Sequence, residues 1–252
     1  MSEELPDFLK RYDIRGPNLT EADAYKLTSS IAQLIDKQTI VVGKDQRDSS
    51  NRIFGPGLQG FYDNGVNVVL PPRQYGIDGF ATTDMIAYLA KERDTYGLMF
   101  SPSHMPEDWA GIKPLTPQGR IFNNDEMKDV ATAYLKQPEP TPKSTYSAEV
   151  DDKAYDDYLD GVIQSYEAEF DNDLAGQKII VDPGNAAGVL GLPDVLSRLG
   201  ADVEMIHENI QESPQRSLEP KKGELGKLEE AVLNYEADMG LATDGDADRV
   251  VA

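Results

Sequence analysis

The chain has 252 residues, 39% of them hydrophobic, and a formal net charge of -21. That length allows two modest domains with real cores, and that charge disfavours nucleic acids and anionic membrane surfaces as partners, because both are polyanions. The absence of cysteine excludes disulfides, thiolate chemistry and cysteine-based metal sites, and no apolar run approaches the roughly 18 residues of a membrane span.

Helical and strand patterns alternate from the start. Met1-Ser2-Glu3-Glu4-Leu5 has neither the basic nor the apolar stretch of a secretion signal, so the expected location is cytoplasmic. Thr20, followed three residues later by Asp23, predicts a capped helix over 20–36. A strand is predicted over 39–43, a helix over 50–63, a strand over 66–70, a helix over 82–93 and a strand over 96–100. A loop follows, and then a helix over 125–136. Gln137-Pro138-Glu139-Pro140-Thr141-Pro142-Lys143-Ser144 reads as an extended, semi-rigid linker, which sets a boundary between domains 1–144 and 145–252. The second part predicts a helix over 152–170, a strand over 178–182 and a turn into a helix ending near 199. A strand over 201–206, a polar loop over 208–223, a helix over 224–236 and a strand over 237–242 complete it. Both parts therefore read as α/β layers with helices covering mostly parallel sheets.

Asp244-Gly245-Asp246-Ala247-Asp248-Arg249 follows the last predicted strand. Carboxylates at i, i+2 and i+4, with small residues between them, can converge on one hard cation such as Mg²⁺ or Ca²⁺. Without a cation they repel one another. The alternative is a solvated acidic turn in a very acidic chain. An EF-hand is rejected, because Arg249 takes the position where that loop needs glycine. With two histidines in the chain, His104 and His207, a histidine-rich zinc site is excluded.

Ser101-Pro102-Ser103-His104-Met105-Pro106 leaves the strand over 96–100. A serine beside a histidine and held between prolines can be a rigid nucleophile platform. It can equally be a proline-rich turn whose hydroxyls satisfy the backbone. Gly184-Asn185-Ala186-Ala187-Gly188 is a strand-to-helix turn whose glycines serve close packing or phosphate binding. Arg15 and Arg47 read locally as a surface residue and a salt-bridge partner. The acidity also fits a surface adapted to high salt, where screening relieves self-repulsion, although Lys outnumbers Arg.

Taken in order, these segments resemble the N-terminal half of an α-D-phosphohexomutase, the phosphoglucomutase/phosphomannomutase superfamily. Tyr12-Asp13-Ile14-Arg15-Gly16 is similar to the family's opening motif, and Gly43-Lys44-Asp45-Gln46-Arg47-Asp48-Ser49-Ser50 to its G-R-D-x-R-x-S-S segment. Ser101 to Pro106 resembles the T-A-S-H-N-P phosphoserine loop, and Gly111-Ile112-Lys113 the G-I-K beyond it. Val181-Asp182-Pro183-Gly184-Asn185-Ala186-Ala187-Gly188 is similar to V-D-x-x-x-G-x-G, and residues 244–249 match the metal loop. Two positions depart from the pattern: Met105 and Ala110 stand where asparagine is usual, which removes two hydrogen-bonding groups.

The resemblance implies two successive three-layer α/β/α domains with mostly parallel, mixed sheets, the first half of a four-domain architecture. It implies hexose 1-phosphate/6-phosphate interconversion, with Ser103 carrying the phosphoryl group. Mg²⁺ would be bound by Asp244, Asp246, Asp248 and a phosphoserine oxygen at Ser103. Arg15, His104, Lys113 and Arg249 would surround the transferring group, Lys113 as an acid or base. It also implies that the chain is truncated, without the sugar-selecting and distal phosphate-gripping domains, and mutase-incompetent or nearly so. The rival expectation is a naturally short, non-catalytic protein that binds a metal or a sugar phosphate.

Overall fold

The computed structural model describes residues 5–9, 14–140, 147–170 and 173–252. The chain divides into two compact units, each with its own sheet. The first comprises residues 1–80, 86–102 and 106–152, and the second comprises residues 81–85, 103–105 and 153–252. The boundary expected at residues 144 and 145, with linker residues 141–144, lies outside the described residues.

In the first unit, β1 (Ile14–Gly16), β2 (Thr39–Lys44), β3 (Asn67–Leu70), β4 (Tyr96–Phe100), β5 (Ala110–Leu115) and β6 (Glu149–Val150) form one sheet in the order β1-β5-β4-β2-β3-β6. Strands β2, β3, β4 and β6 run parallel, while β1 and β5 are antiparallel to their neighbours. The helices are α1 (Glu21–Leu34), α2 (Asp48–Asp63), α3 (Thr83–Glu92) and α4 (Asn124–Tyr134). The first three residues of α3 belong to the second unit. Thr20 and Asp23 form the expected capping box at α1, and Asn123 and Glu126 form another at α4.

Because side chains alternate across a strand, Ile40 and Val42 of β2 and Leu98 and Phe100 of β4 share one face. They join Leu27 and Ile31 of α1, Phe61 of α2 and Val130 of α4 in the core. Val41 and Met99, also buried, point to the opposite face. The central strands are covered on both sides, which is why they read as continuous apolar runs.

In the second unit, β7 (Lys178–Asp182), β8 (Asp202–Met205), β9 (Met239–Thr243) and β10 (Val250–Val251) lie in the order β10-β9-β7-β8. The first three are mutually parallel and β10 is antiparallel to β9. Helices α5 (Ala154–Glu169), α6 (Leu192–Arg198) and α7 (Gly226–Asn234) complete it. Ile180 and Ala242 pack with Leu225, Leu228 and Ala231 on one face of the sheet.

The two α/β/α units with mixed, mostly parallel sheets match the expected fold class. Four strands, the short β1, β6 and β10 and the six-residue β5, lie outside the predicted elements. The helix expected to end near 199 is divided: a 3-10 turn at Ala187–Val189 stops at the extended Leu190, and α6 restarts with Pro193 in its first turn. Proline lacks an N–H and fits that position, where the N–H has no helical partner. Among the described residues, no helix is long and apolar enough to cross a membrane.

Candidate active site

Strand β9 ends at Thr243, and the acidic loop begins at its C-terminal end. Asp244 and Asp246 are fully buried, and Asp248 is partly so. One carboxylate oxygen from each lies within 4.8 Å of those from the other two. Ala247 turns through a positive φ of 58°, a costly conformation for a residue with a side chain. Its N–H donates to the Asp244 carbonyl at 3.2 Å, and the Asp244 N–H donates to the Arg249 carbonyl at 3.2 Å, which closes the loop. The N–H of Thr83, at the start of α3, donates to the Asp246 carbonyl at 3.0 Å, and its hydroxyl donates to the Asp246 carboxylate.

Ser103 belongs to the same unit and lies beside this loop. Its Oγ donates to Asp244 Oδ2 at 3.0 Å and lies 3.3 Å from His104 Nδ1. Its φ of 59° is again positive, so the backbone holds the hydroxyl at a conformational cost of about 1 kcal/mol or more. Arg249 joins the two loops: Nη2 donates to Asp244 Oδ2 at 2.8 Å and to His104 Nδ1 at 2.5 Å. A guanidinium only donates, so His104 Nδ1 is the acceptor and a neutral imidazole carries its proton on Nε2. Arg249 Nη1 also lies 3.8 Å from Glu219, a residue of the polar loop before α7.

Burial, and then the neighbouring Asp246 and Asp248, push the Asp244 carboxyl up to about 6 against the pull of Arg249. Hard oxygens at this spacing, held together against their mutual repulsion, suit a small divalent cation. The donor set fits Mg²⁺.

The remaining expected residues lie in the first unit. Arg15 on β1 sits opposite Gly111 on β5, and Lys113 follows two residues on. Directly opposed residues and i, i+2 neighbours share a face, so Arg15 and Lys113 project from the same side of the sheet. A Cβ at Gly111 would fall 2.5 Å from the Ser101 carbonyl oxygen, so β5 packs directly under the chain leaving β4. Lys113 is buried.

Ser101, the other serine of the Ser-Pro-Ser segment, has a different partner. Its Oγ donates to Asp45 Oδ2 at 2.7 Å, and both residues are fully buried. Burial raises the Asp45 pKa, and Arg47, Ser50 and Ser101 oppose that shift. Arg47 Nη1 reaches the Pro106 carbonyl at 3.4 Å, so this pair of residues ties down both ends of the segment. The serine facing the acidic loop is Ser103.

Arg216 and Thr83 carry no sequence signal that would single them out. Arg216 is one arginine in a polar loop, and Thr83 reads as an ordinary residue at a helix start. Their importance rests on contacts to residues 34 and 163 positions away.

Two family models match the chain: phosphoglucomutase/phosphomannomutase alpha/beta/alpha domain I over residues 8–141, and domain II of the same family over residues 156–252. A phosphoglucosamine mutase of Alkaliphilus oremlandii is 30% identical over 95% of this chain and 53% of its own length. One of Caldicellulosiruptor bescii is 32% identical over 93% of this chain and 50% of its own. A solved Thermus thermophilus structure, provisionally named a phosphomannomutase, superposes over 99% of this chain and 57% of its own with a TM-score of 0.77 at 22% identity, a likeness of fold. The chain spans about half the length of the curated relatives it matches.

Proposed function

Because this chain belongs to the phosphoglucomutase/phosphomannomutase family, we propose that it carries the phosphoryl-donor and metal-binding half of a phosphohexomutase. The observation that carries this reading is the 3.0 Å approach of Ser103 Oγ to Asp244, inside a cluster that also holds Asp246, Asp248 and Arg249.

In the proposed reaction, phosphorylated Ser103 gives its phosphoryl group to a free hydroxyl of a hexose phosphate. The bond from phosphorus to Ser103 Oγ breaks, a bond to the sugar oxygen forms, the hydroxyl proton leaves to a base, and the released Ser103 Oγ takes up a proton. The resulting bisphosphate then returns its other phosphoryl group to Ser103. Phosphoryl transfer depends mainly on alignment and charge neutralisation. The positive-φ backbone of Ser103 and the flanking prolines provide alignment. Arg249 provides fixed positive charge, and Arg15 and Lys113 are proposed to add more, with Lys113 as the proton carrier. His104 lies beside the serine and links its loop to Arg249. Asp244, Asp246 and Asp248, with a phosphoserine oxygen, would hold Mg²⁺, which supplies charge neutralisation at the phosphoryl oxygens. The substrate class is hexose phosphates, with neither nucleic acid nor membrane as a partner. A cytoplasmic setting fits the cysteine-free, acidic composition.

Peptide mapping by mass spectrometry tests the donor assignment. Phosphate is expected on Ser103 and is lost in Ser103→Ala. Phosphate on Ser101 would overturn the assignment. Calorimetric titration tests the metal: Mg²⁺ binds the parent chain, and Asp246→Asn weakens that binding by at least about tenfold, since it removes a charged ligand.

A further inference from the structure

We infer that Arg216 is the positioning residue of the carboxylate loop, acting through the Thr243 carbonyl. The inference rests on reading residues 244–248 as a cation loop.

Arg216 lies in the polar segment between β8 and α7, yet its side chain is only 3% exposed. Its Nε donates to Asp182 Oδ2 at 2.9 Å. Its Nη2 donates to two backbone carbonyls, Asp182 at 2.7 Å and Thr243 at 2.8 Å. Its Nη1 donates to the Ser217 carbonyl at 2.8 Å. Asp182 ends β7 and Thr243 ends β9, and these parallel strands are neighbours with Asp182 paired to Ala242. One planar guanidinium therefore ties together the C-terminal ends of the two strands from which the site emerges.

The carbonyl it holds belongs to the residue immediately before Asp244. Fixing the Thr243 oxygen fixes the plane of the 243–244 peptide, and with it the direction of the Asp244 N–H that closes the loop onto Arg249. The remaining acceptor of Asp182 is also occupied: Oδ1 receives the Gly184 N–H at 2.9 Å and lies 3.1 Å from His207 Nδ1.

A buried ion pair gives little net stability, because desolvation offsets the attraction. What a guanidinium with four hydrogen bonds provides is geometry. Its fork matches three carbonyls and a carboxylate at once, which lysine cannot do. Groups that hold a metal-ligating segment in place typically alter metal affinity by about 10- to 100-fold when removed.

The test is a calorimetric Mg²⁺ titration of the whole chain, with hydrogen exchange of the metal-free protein, for the parent, Arg216→Met and Arg216→Lys. Lysine keeps the charge opposite Asp182, so Arg216→Lys decides the matter if Arg216→Met does not fold. We expect the Mg²⁺ Kd to weaken about 10- to 100-fold. Exchange should quicken at Asp244 and Arg249 while that of α5 and α7 stays at the parent rate. Unchanged exchange at residues 243–249 overturns the inference, and so does exchange that rises uniformly through the unit, the mark of a purely structural residue. If the parent chain binds no Mg²⁺ but Arg216→Lys still loosens 243–249, the cation reading fails and the positioning role stands.

Discussion

Asp244 is the residue on which the candidate site turns, since it bonds to Ser103 and Arg249 and has a carboxylate oxygen within 4.8 Å of one from each of Asp246 and Asp248. Its carboxyl, raised to about 6 by burial and by Asp246 and Asp248, has a consequence for stability. Between about pH 4, where an unfolded aspartate ionises, and pH 6, the folded chain keeps a proton that the unfolded chain has released. The contribution of this group to stability therefore falls as pH rises through that window. In EDTA, the melting temperature of the parent should drop between pH 4 and 7 by more than that of Asp246→Asn, which lacks one of the two repelling neighbours. Equal slopes in the two proteins would refute this account. The carboxylate spacing was legible in the chain, because i, i+2, i+4 is a local pattern. Arg216 was not, because its partners come from two strands remote in sequence.

At the scale of elements, the long helices and the central strands were readable because each carries its own periodicity and caps. The capping box at Thr20 is local chemistry, and β2 and β4 are buried on both faces. The missed strands β1, β6 and β10 have only two or three residues each, too few for any period to register. Strand β5 does not read as a strand, because Gly111 and Pro114 interrupt its pattern. Its pairing with β1 and β4 overrides that weak local preference. Helix contacts were likewise invisible in the sequence. Gly60 of α2 meets α1 so closely that an added Cβ would lie 2.1 Å from Thr28 Oγ1 and 2.6 Å from the Tyr25 carbonyl oxygen. Alanine would gain about 1 kcal/mol of helix propensity but overpack the contact by about 1–3 kcal/mol, and the Tyr25 backbone cannot rotate away. Gly60→Ala should therefore destabilise the chain by up to about 2 kcal/mol net, read as a lower urea midpoint at unchanged slope.

For the whole molecule the governing quantity is the net charge of -21. Like charges on a compact surface repel more than on an unfolded chain, and salt shortens their reach from about 10 Å at 0.1 M to about 3 Å at 1 M. The melting temperature should rise from low to molar KCl, and a flat or falling curve would remove the salt-adapted reading. The sequence by itself determined the alternating α/β layers, the acidic character and the order of motifs that identifies the family, because each is written in neighbouring residues or in composition. The resemblance points to Ser103, but only the tertiary structure decided how the two serines of Ser101-Pro102-Ser103 are set apart. It did so by burying Ser101 against Asp45 and bringing Ser103 to Asp244, 141 residues away. It also gave Arg216 its place beneath the acidic loop. Those outcomes depend on which strand ends meet, and that is fixed by sheet pairing and core packing across the unit rather than by any local pattern.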